Sequence, residues 1–419
     1  MKTFKLLILL SFVNSIYSVA QNNHYLIIPE RVFDGEQIHE GWVVLVEGNK
    51  ISAVGPAGQV KAPAKTTVLE MKGTTLLPGL IEGHSHILLH PYNETSWDDQ
   101  VLKESDAVRI ARATVHAKKT LLAGFTTIRD LGSEGAGYAD VGIKQAISEG
   151  IIPGPPMLVA GRAIVATGSY GPKGFDTDFS VMLGAEAADV HDLVRVVRDQ
   201  IGKGADIVKV YADYRWGLNN QAQPTFSEEE LKLIVETAKS SGRPVVAHAS
   251  TAEGMRRAVL AGVETIEHGD DGTTEVFKLM KEKGVALCPT IAAGDAVSQY
   301  KGWKKGDPEP PRIATKRKTF KEALAQGVVI VAGGDVGVFA HGDNARELEL
   351  MVEYGMSALD VLRSATSVNA RIFHQPQIGK IQKDFFADLL LVTGNPGKNI
   401  SEIRNVVWVM KDGQLYKKD

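Results

Sequence analysis

The chain has 419 residues, 44% hydrophobic and 23% charged, enough to bury a large core in two or three domains or in one extended α/β barrel. Its formal charge of -3 gives no electrostatic footprint for nucleic acid or for an anionic membrane. A single cysteine, Cys288, excludes an intrachain disulfide, and its place in the apolar run VALCPT reads as a buried structural thiol.

The opening segment MKTFKLLILLSFVNSIYSVAQ sets Lys2 and Lys5 before an apolar run from Leu6 to Val13 and closes on the small residues Ser18 and Ala20. This is the pattern of a cleavable signal peptide over residues 1–20, cut after Ala20. The apolar run is far shorter than the ~20 residues a bilayer span needs. The expectation is a secreted or periplasmic protein without a stable membrane anchor.

Next comes HYLIIPERVFDGEQIHEGWVVLVEGNKISAVG, where apolar residues run through Val43 to Val46, Gly48-Asn49 supplies a turn, and Ile51 resumes the pattern. The far end matches it: ADLLLVTGNP and VVWVMKDGQLY read as strands, with Asp412-Gly413 as a hairpin turn. The two ends, 21–74 and 375–419, are expected to fold together as one small sheet domain.

Between them apolar strands end at GHSH, FTTIRDLG, PPMLVAGRA, ADIVKVYAD, PVVAHA, TIEHG, ALCPT and VVIVAGGD. Helical patterns separate them; in SEEELKLIVETAKSSG, Ser227 can cap and Glu230 can complete a capping box. Strand and helix alternating in this way predict an α/β fold with a (β/α)8 TIM-type barrel over 75–374. Two connections are long, TGSYGPKGFDTDFSVMLGAEAAD after the third strand and AAGDAVSQYKGWKKGDPEPPR after the seventh. Both follow a strand C-terminus, the face where barrel enzymes hold their sites, and read as functional loops.

The polar residues at those strand ends carry the chemistry. His84 and His86, two apart, point to one face of the first strand. Lys209 ends the fourth strand, His248 the fifth, His268 the sixth and Asp335 the eighth. Imidazole and carboxylate donors suit zinc and related divalent ions. Lys209 lies among Ile207, Val208 and Val210, where a charged amine is costly to bury and its pKa falls. A neutral amine can take up carbon dioxide as an anionic carbamate, able to bridge two metals. Tyr211 points the same way as Lys209 and either hydrogen-bonds a substrate carboxylate or carbonyl or packs at the rim. His341, in FAHGDN, reads either as a substrate contact or as a surface-loop histidine. His24, His39, His90, His116, His191 and His374 read as structural or exposed.

The motifs GHSH, IVKVYAD, VVAHAS, IEHG and GGDVG, in this order, resemble the amidohydrolase superfamily, in its branch with a carboxylated lysine on the fourth strand. The resemblance covers essentially the whole chain after the signal and implies a β-sandwich built from both ends beside the barrel. It implies two divalent ions, Zn2+ foremost, with His84, His86 and Asp335 on the more buried one and His248 and His268 on the more exposed. Carboxylated Lys209 would bridge them. A hydroxide shared by the ions would attack a carbonyl, and Asp335 would pass its proton to the departing nitrogen.

Within the superfamily the chain is most similar to prolidase-like dipeptidases, related in turn to ochratoxin-type amidases and imidazolonepropionase-like proteins. That implies hydrolysis of an amide in a dipeptide (Xaa-Pro-like) or an N-acyl amino acid. Many relatives carry a Gly-His pair in the loop after the third strand; TGSYGPKGF places Tyr170 there instead, a departure from the usual carboxylate-binding arrangement. A cyclic-amide ring-opening hydrolase or deaminase remains open, as does a non-catalytic exported metal- or ligand-binding protein. The expected partner is a small molecule or dipeptide, not a nucleic acid, and homo-oligomer formation is left open.

Overall fold

The computed structural model describes residues 24–176 and 178–417, so the expected signal peptide lies outside the described residues. Both ends of the described chain enter one eight-stranded sheet. His24–Phe33 pairs antiparallel with Trp42–Glu47 and parallel with Thr67–Pro78, which in turn pairs antiparallel with Leu389–Thr393. Ile27, Val44 and Val46 from one end and Leu389, Leu391 and Trp408 from the other bury one cluster. That shared apolar face is what holds the two ends together.

Both expected hairpin turns form. Gly48-Asn49 joins Trp42–Glu47 to Lys50–Pro56, and Asp412-Gly413 joins Val406–Lys411 to Gln414–Lys417. Asp412 and Gly413 have φ of +52° and +73°, the successive left-handed residues that a type I′ turn requires. A Cβ on Gly413 would lie 2.0 Å from the Gly48 carbonyl oxygen, so only glycine fits there.

The middle of the chain is mixed α/β. Leu80–Ser85, Phe125–Asp130 and Met157–Val159 form a parallel sheet. Val208–Tyr211, Val245–Ala249, Thr265–His268 and Ala286–Cys288 form the core of a second. A hydrogen bond from the Asp206 N–H to the Val159 carbonyl (2.8 Å) joins one sheet to the other. At the far edge Leu287 bonds to Val329 and Val331, and the segment continues with Gly83 N–H on the Ala332 carbonyl and His86 N–H on the Val336 carbonyl. The helix Glu228–Lys239 has both halves of the Ser227–Glu230 capping box and buries Leu231, Ile234, Val235 and Ala238, one stripe at helical spacing.

Two expectations need correction. Residues 328–335 do not make a regular eighth strand; only isolated bridges at Ile330 and Val336 remain. The physical cause is Gly333-Gly334 followed by Asp335 at φ +62°, a backbone that leaves the extended region. The connection after the seventh strand is not simply loop either. Ile291–Tyr300 is a helix whose first N–H groups, on Ile291 and Ala292, are held by the two oxygens of the Glu347 carboxyl group. The connection after the third strand carries one short strand, Glu186–Ala187, which pairs with Ile164–Val165 just before it.

Candidate metal centre and active site

The polar residues at the strand ends converge. His84 and His86 direct Nε2 toward Asp335 Oδ1, at 3.6 and 3.3 Å. One donor atom from each of the three lies within 4.8 Å of the others. Their remaining ring nitrogens are occupied: His84 Nδ1 by Glu267 Oε2 at 2.8 Å, His86 Nδ1 by the Gly132 carbonyl at 2.9 Å. His268 Nδ1 is bonded to Thr290 Oγ1 at 2.8 Å. Each bond fixes a ring so that its Nε2 stays available, the way metal-binding imidazoles are held.

The second pair adjoins the first. The His268 ring lies 5.2 Å from that of His84 and 4.4 Å from that of His248. His248 stacks on Tyr211 at 4.5 Å, and its Nε2 lies 3.8 Å from Asp213 Oδ1. The Lys209 side chain is 1% exposed and, among the described residues, makes no hydrogen bond or ion pair; the Tyr211 ring lies 5.6 Å from its amine. A buried amine without a hydrogen-bonded counter-charge is the state in which an ammonium is least favoured.

Electrostatics follow from this burial. Desolvation pushes the Lys209 amine below its ordinary value despite Glu267 and Asp335 nearby. Burial, then Lys209, brings His84 down to about 4 and His248 to about 3. Burial alone would raise Asp335, but His84, His86 and Lys209 outweigh it and hold the carboxyl below the usual carboxylate range. His86 is the exception: burial lowers it, yet its bond to Asp335 and the charge of Glu134 push it up to about 9. Neutral imidazoles around an ionised carboxylate are the protonation states that divalent-ion binding requires. His84, His86 and Asp335 fit one such ion.

Backbone strain gathers here too. His268, Asp335, Thr290 and Glu134 are non-glycine residues at φ of +78°, +62°, +49° and +48°. Each such conformation costs on the order of 1–3 kcal/mol and persists where packing over-determines it.

A cavity of about 770 Å3 opens onto the cluster, lined by His84, His86, His248, His268 and Asp335 and, farther out, by Trp97, Tyr170, Tyr211 and Tyr214. Tyr211 and Tyr170 both line this cavity. His341 does not: it is buried outside the lining, stacked on His116 at 4.1 Å, with Nε2 donating to the Leu89 carbonyl at 3.1 Å. It is buried rather than a surface-loop residue. Tyr170 donates its hydroxyl to Glu134 Oε2 at 2.8 Å, so that proton is committed to an anion.

Sequence reading missed the supports of the site. Arg129 donates to Glu267 Oε1 at 2.8 Å and to the Gly83 carbonyl at 2.6 Å, tying strand to strand behind His84. Asp213 accepts from the Ser250 and Thr251 N–H groups just beyond His248. The available signal was a charge inside an apolar strand, as in TTIRD and TIEHG. His84, Glu267 and Cys288 also lie within metal-binding reach of one another. That trio is a support rather than a centre, because Arg129 already balances Glu267 and burial pushes the Cys288 thiol up.

Known proteins resemble this chain in sequence and fold. Residues 75–416 match the amidohydrolase family. Ochratoxinase of Aspergillus niger is 31% identical over 431 residues, spanning 94% of this chain and 85% of that protein. A Xaa-Pro dipeptidase crystallised with methionine in its active site is similar at a TM-score of 0.84 and 32% identity, over 94% of this chain and 100% of that one. A prolidase complexed with N-methylphosphonate-L-proline gives 0.82 and 26%, over 95% and 100%. With a ligand cluster of this kind and these relatives, the chain belongs to the amidohydrolase family and is a hydrolase of carbon–nitrogen amide bonds.

Proposed function

We propose that this is an exported, binuclear metal-dependent amidohydrolase acting on a dipeptide (Xaa-Pro-like) or an N-acyl amino acid. The observation that carries the reading is the convergence of His84, His86 and Asp335, with both imidazoles held from behind. His84, His86 and Asp335 would hold one ion, His248 and His268 the other, and Lys209 as its carbamate would join them. The imidazole-rich donor set favours zinc.

Two such ions supply, when bound, Lewis acidity and a water acidic enough to lose its proton near neutral pH. The chain does the rest. Asp335, ionised between two imidazoles, takes the proton of the attacking water and returns it to the departing nitrogen, which is a poor leaving group without it. The rings of Tyr211 and His248 stack and fix one another at the cavity wall.

The architecture in this reading is a closed barrel over 75–374 with a β-sandwich from 21–74 and 375–419. The hydrogen bonds running from Leu287 through 329–336 to Gly83 and His86 support closure. Export rests on the pattern of residues 1–20; among the described residues no helix is long and apolar enough to cross a membrane. The substrate class rests on the amidase and dipeptidase relatives.

The test is Lys209→Ala, assayed for metal content and for hydrolysis of Xaa-Pro, other dipeptides and N-acyl amino acids. Most of the metal and the turnover should disappear together. Unchanged metal stoichiometry would show that Lys209 bridges nothing.

A further inference from the structure

We propose that the cavity contains an ammonium-binding subsite, with Glu134 as counter-charge and Trp97, Tyr170, Tyr211 and Tyr214 as its aromatic wall. The substrate then carries a protonated amine near the bond that is cut. This rests on the amide-hydrolase reading and narrows its substrate class.

Glu134 follows the strand Phe125–Asp130, lines the cavity and is 3% exposed. Its Oε2 accepts from Trp97 Nε1 at 2.9 Å and from the Tyr170 hydroxyl at 2.8 Å. Among the described residues, Oε1 receives no hydrogen bond. His86 Nδ1 is 3.8 Å from it and donates instead to the Gly132 carbonyl. The charge of Arg109 acts on Glu134, but its Nε and Nη2 donate to the Leu88 and Ser133 carbonyls and the two groups form no direct ion pair. One oxygen of a buried, cavity-lining carboxylate is thus left without a donor among the described residues. Such an oxygen is satisfied best by something positive that can donate to it.

The wall explains what that is. The Trp97 and Tyr170 rings are 5.3 Å apart, Tyr170 and Tyr211 4.6 Å, and Tyr170 and Tyr214 4.8 Å. Aromatic faces attract ammonium groups through the ring quadrupole, and a carboxylate beside them adds a charge-assisted hydrogen bond. A substrate carboxylate at the same place would face Glu134 directly and be repelled. The cavity therefore selects a cation on this side.

The amine can be the α-ammonium of a dipeptide or a side-chain ammonium. The subsite itself is tested by calorimetric titration of the zinc-loaded protein with n-butylammonium and, separately, n-butanol. The wild type should bind the ammonium about tenfold or more tighter, and Glu134→Gln should bring the two within about threefold. Equal binding of both probes by the wild type overturns the subsite even if the variant does not fold. So does an undiminished preference in the variant.

The source is read from kcat/KM ratios for Leu-Ala against N-acetyl-Leu-Ala, and for N-acetyl-Lys-Ala against N-acetyl-norleucyl-Ala. A large first ratio assigns the α-ammonium and a large second ratio the side chain; both ratios near one overturn the proposal. No turnover of any amide by the metal-loaded protein would overturn the function proposed above, and the butylammonium titration would still decide the subsite.

Discussion

The Glu267 carboxylate reaches Nδ1 of His84 at 2.8 Å, and both groups are buried. Burial alone would raise Glu267, but Arg129 and then His84 outweigh it and keep the carboxyl below its usual range. An ionised partner fixes the His84 tautomer and leaves Nε2 for a metal. Glu267→Gln should lower zinc affinity about 10–100-fold. It should also cost about 3–5 kcal/mol, because Arg129 loses its counter-charge. Competition against a chelating dye measures the first and urea unfolding the second. Unaltered zinc affinity would mean that His84 is oriented by something else.

Asp335→Asn separates metal binding from proton transfer. Asparagine tolerates the left-handed backbone that Asp335 adopts at φ +62°, so the fold should survive. An amide oxygen can still face a cation but cannot carry a proton to the leaving nitrogen. The variant should keep much of its metal and lose about 100-fold or more in kcat. Metal analysis beside steady-state kinetics checks this, and full activity would remove Asp335 from the proton path.

The residues legible in the sequence were those whose signal is local. His84, His248 and His268 each end an apolar run, and that context sufficed to place them on one rim. What escaped depends on partners far along the chain. The helix Ile291–Tyr300 contains Gly294 and Asp295, poor helix formers, and its start is held by Glu347, more than 50 residues away. Polar neighbours made His341 look exposed, but the helix Asp106–Leu122 presents His116 to its ring and buries it. Glu134 acquires its meaning only when Tyr170, 36 residues on, folds back over it.

Gly333 marks the tightest point behind the site. A Cβ there would stand 2.6 Å from both Cys288 Sγ and His84 N, and 2.8 Å from the Gly83 carbonyl carbon. Two of these are backbone atoms, so relief requires moving the first strand and the His84 ligand with it. Gly333→Ala should cost about 1–3 kcal/mol or more and weaken metal binding, whereas Gly58→Ala, with open space around it, should do neither. Thermal melts with and without zinc compare the two. Matching melts would show that the strand yields more easily than its packing implies.

Glu347 offers a pH test away from the ligands. Buried on the helix Ala345–Glu353, it accepts from Ile291 N at 3.1 Å and Ala292 N at 2.6 Å. Burial nevertheless pushes its carboxyl from 4.5 up to about 8. Between those values the folded chain holds a proton that the unfolded chain has released. Stability from this group is therefore full below about 4.5 and falls as pH rises toward 8, by at most about 1.4 kcal/mol per pH unit. Glu347→Gln cannot titrate, so its stability relative to the wild type should improve steadily from pH 5 to pH 8. Urea unfolding across that range measures the difference. A difference independent of pH would mean that the helix N-terminus keeps Glu347 ionised, and that the field of the Ile291 and Ala292 N–H groups outweighs burial.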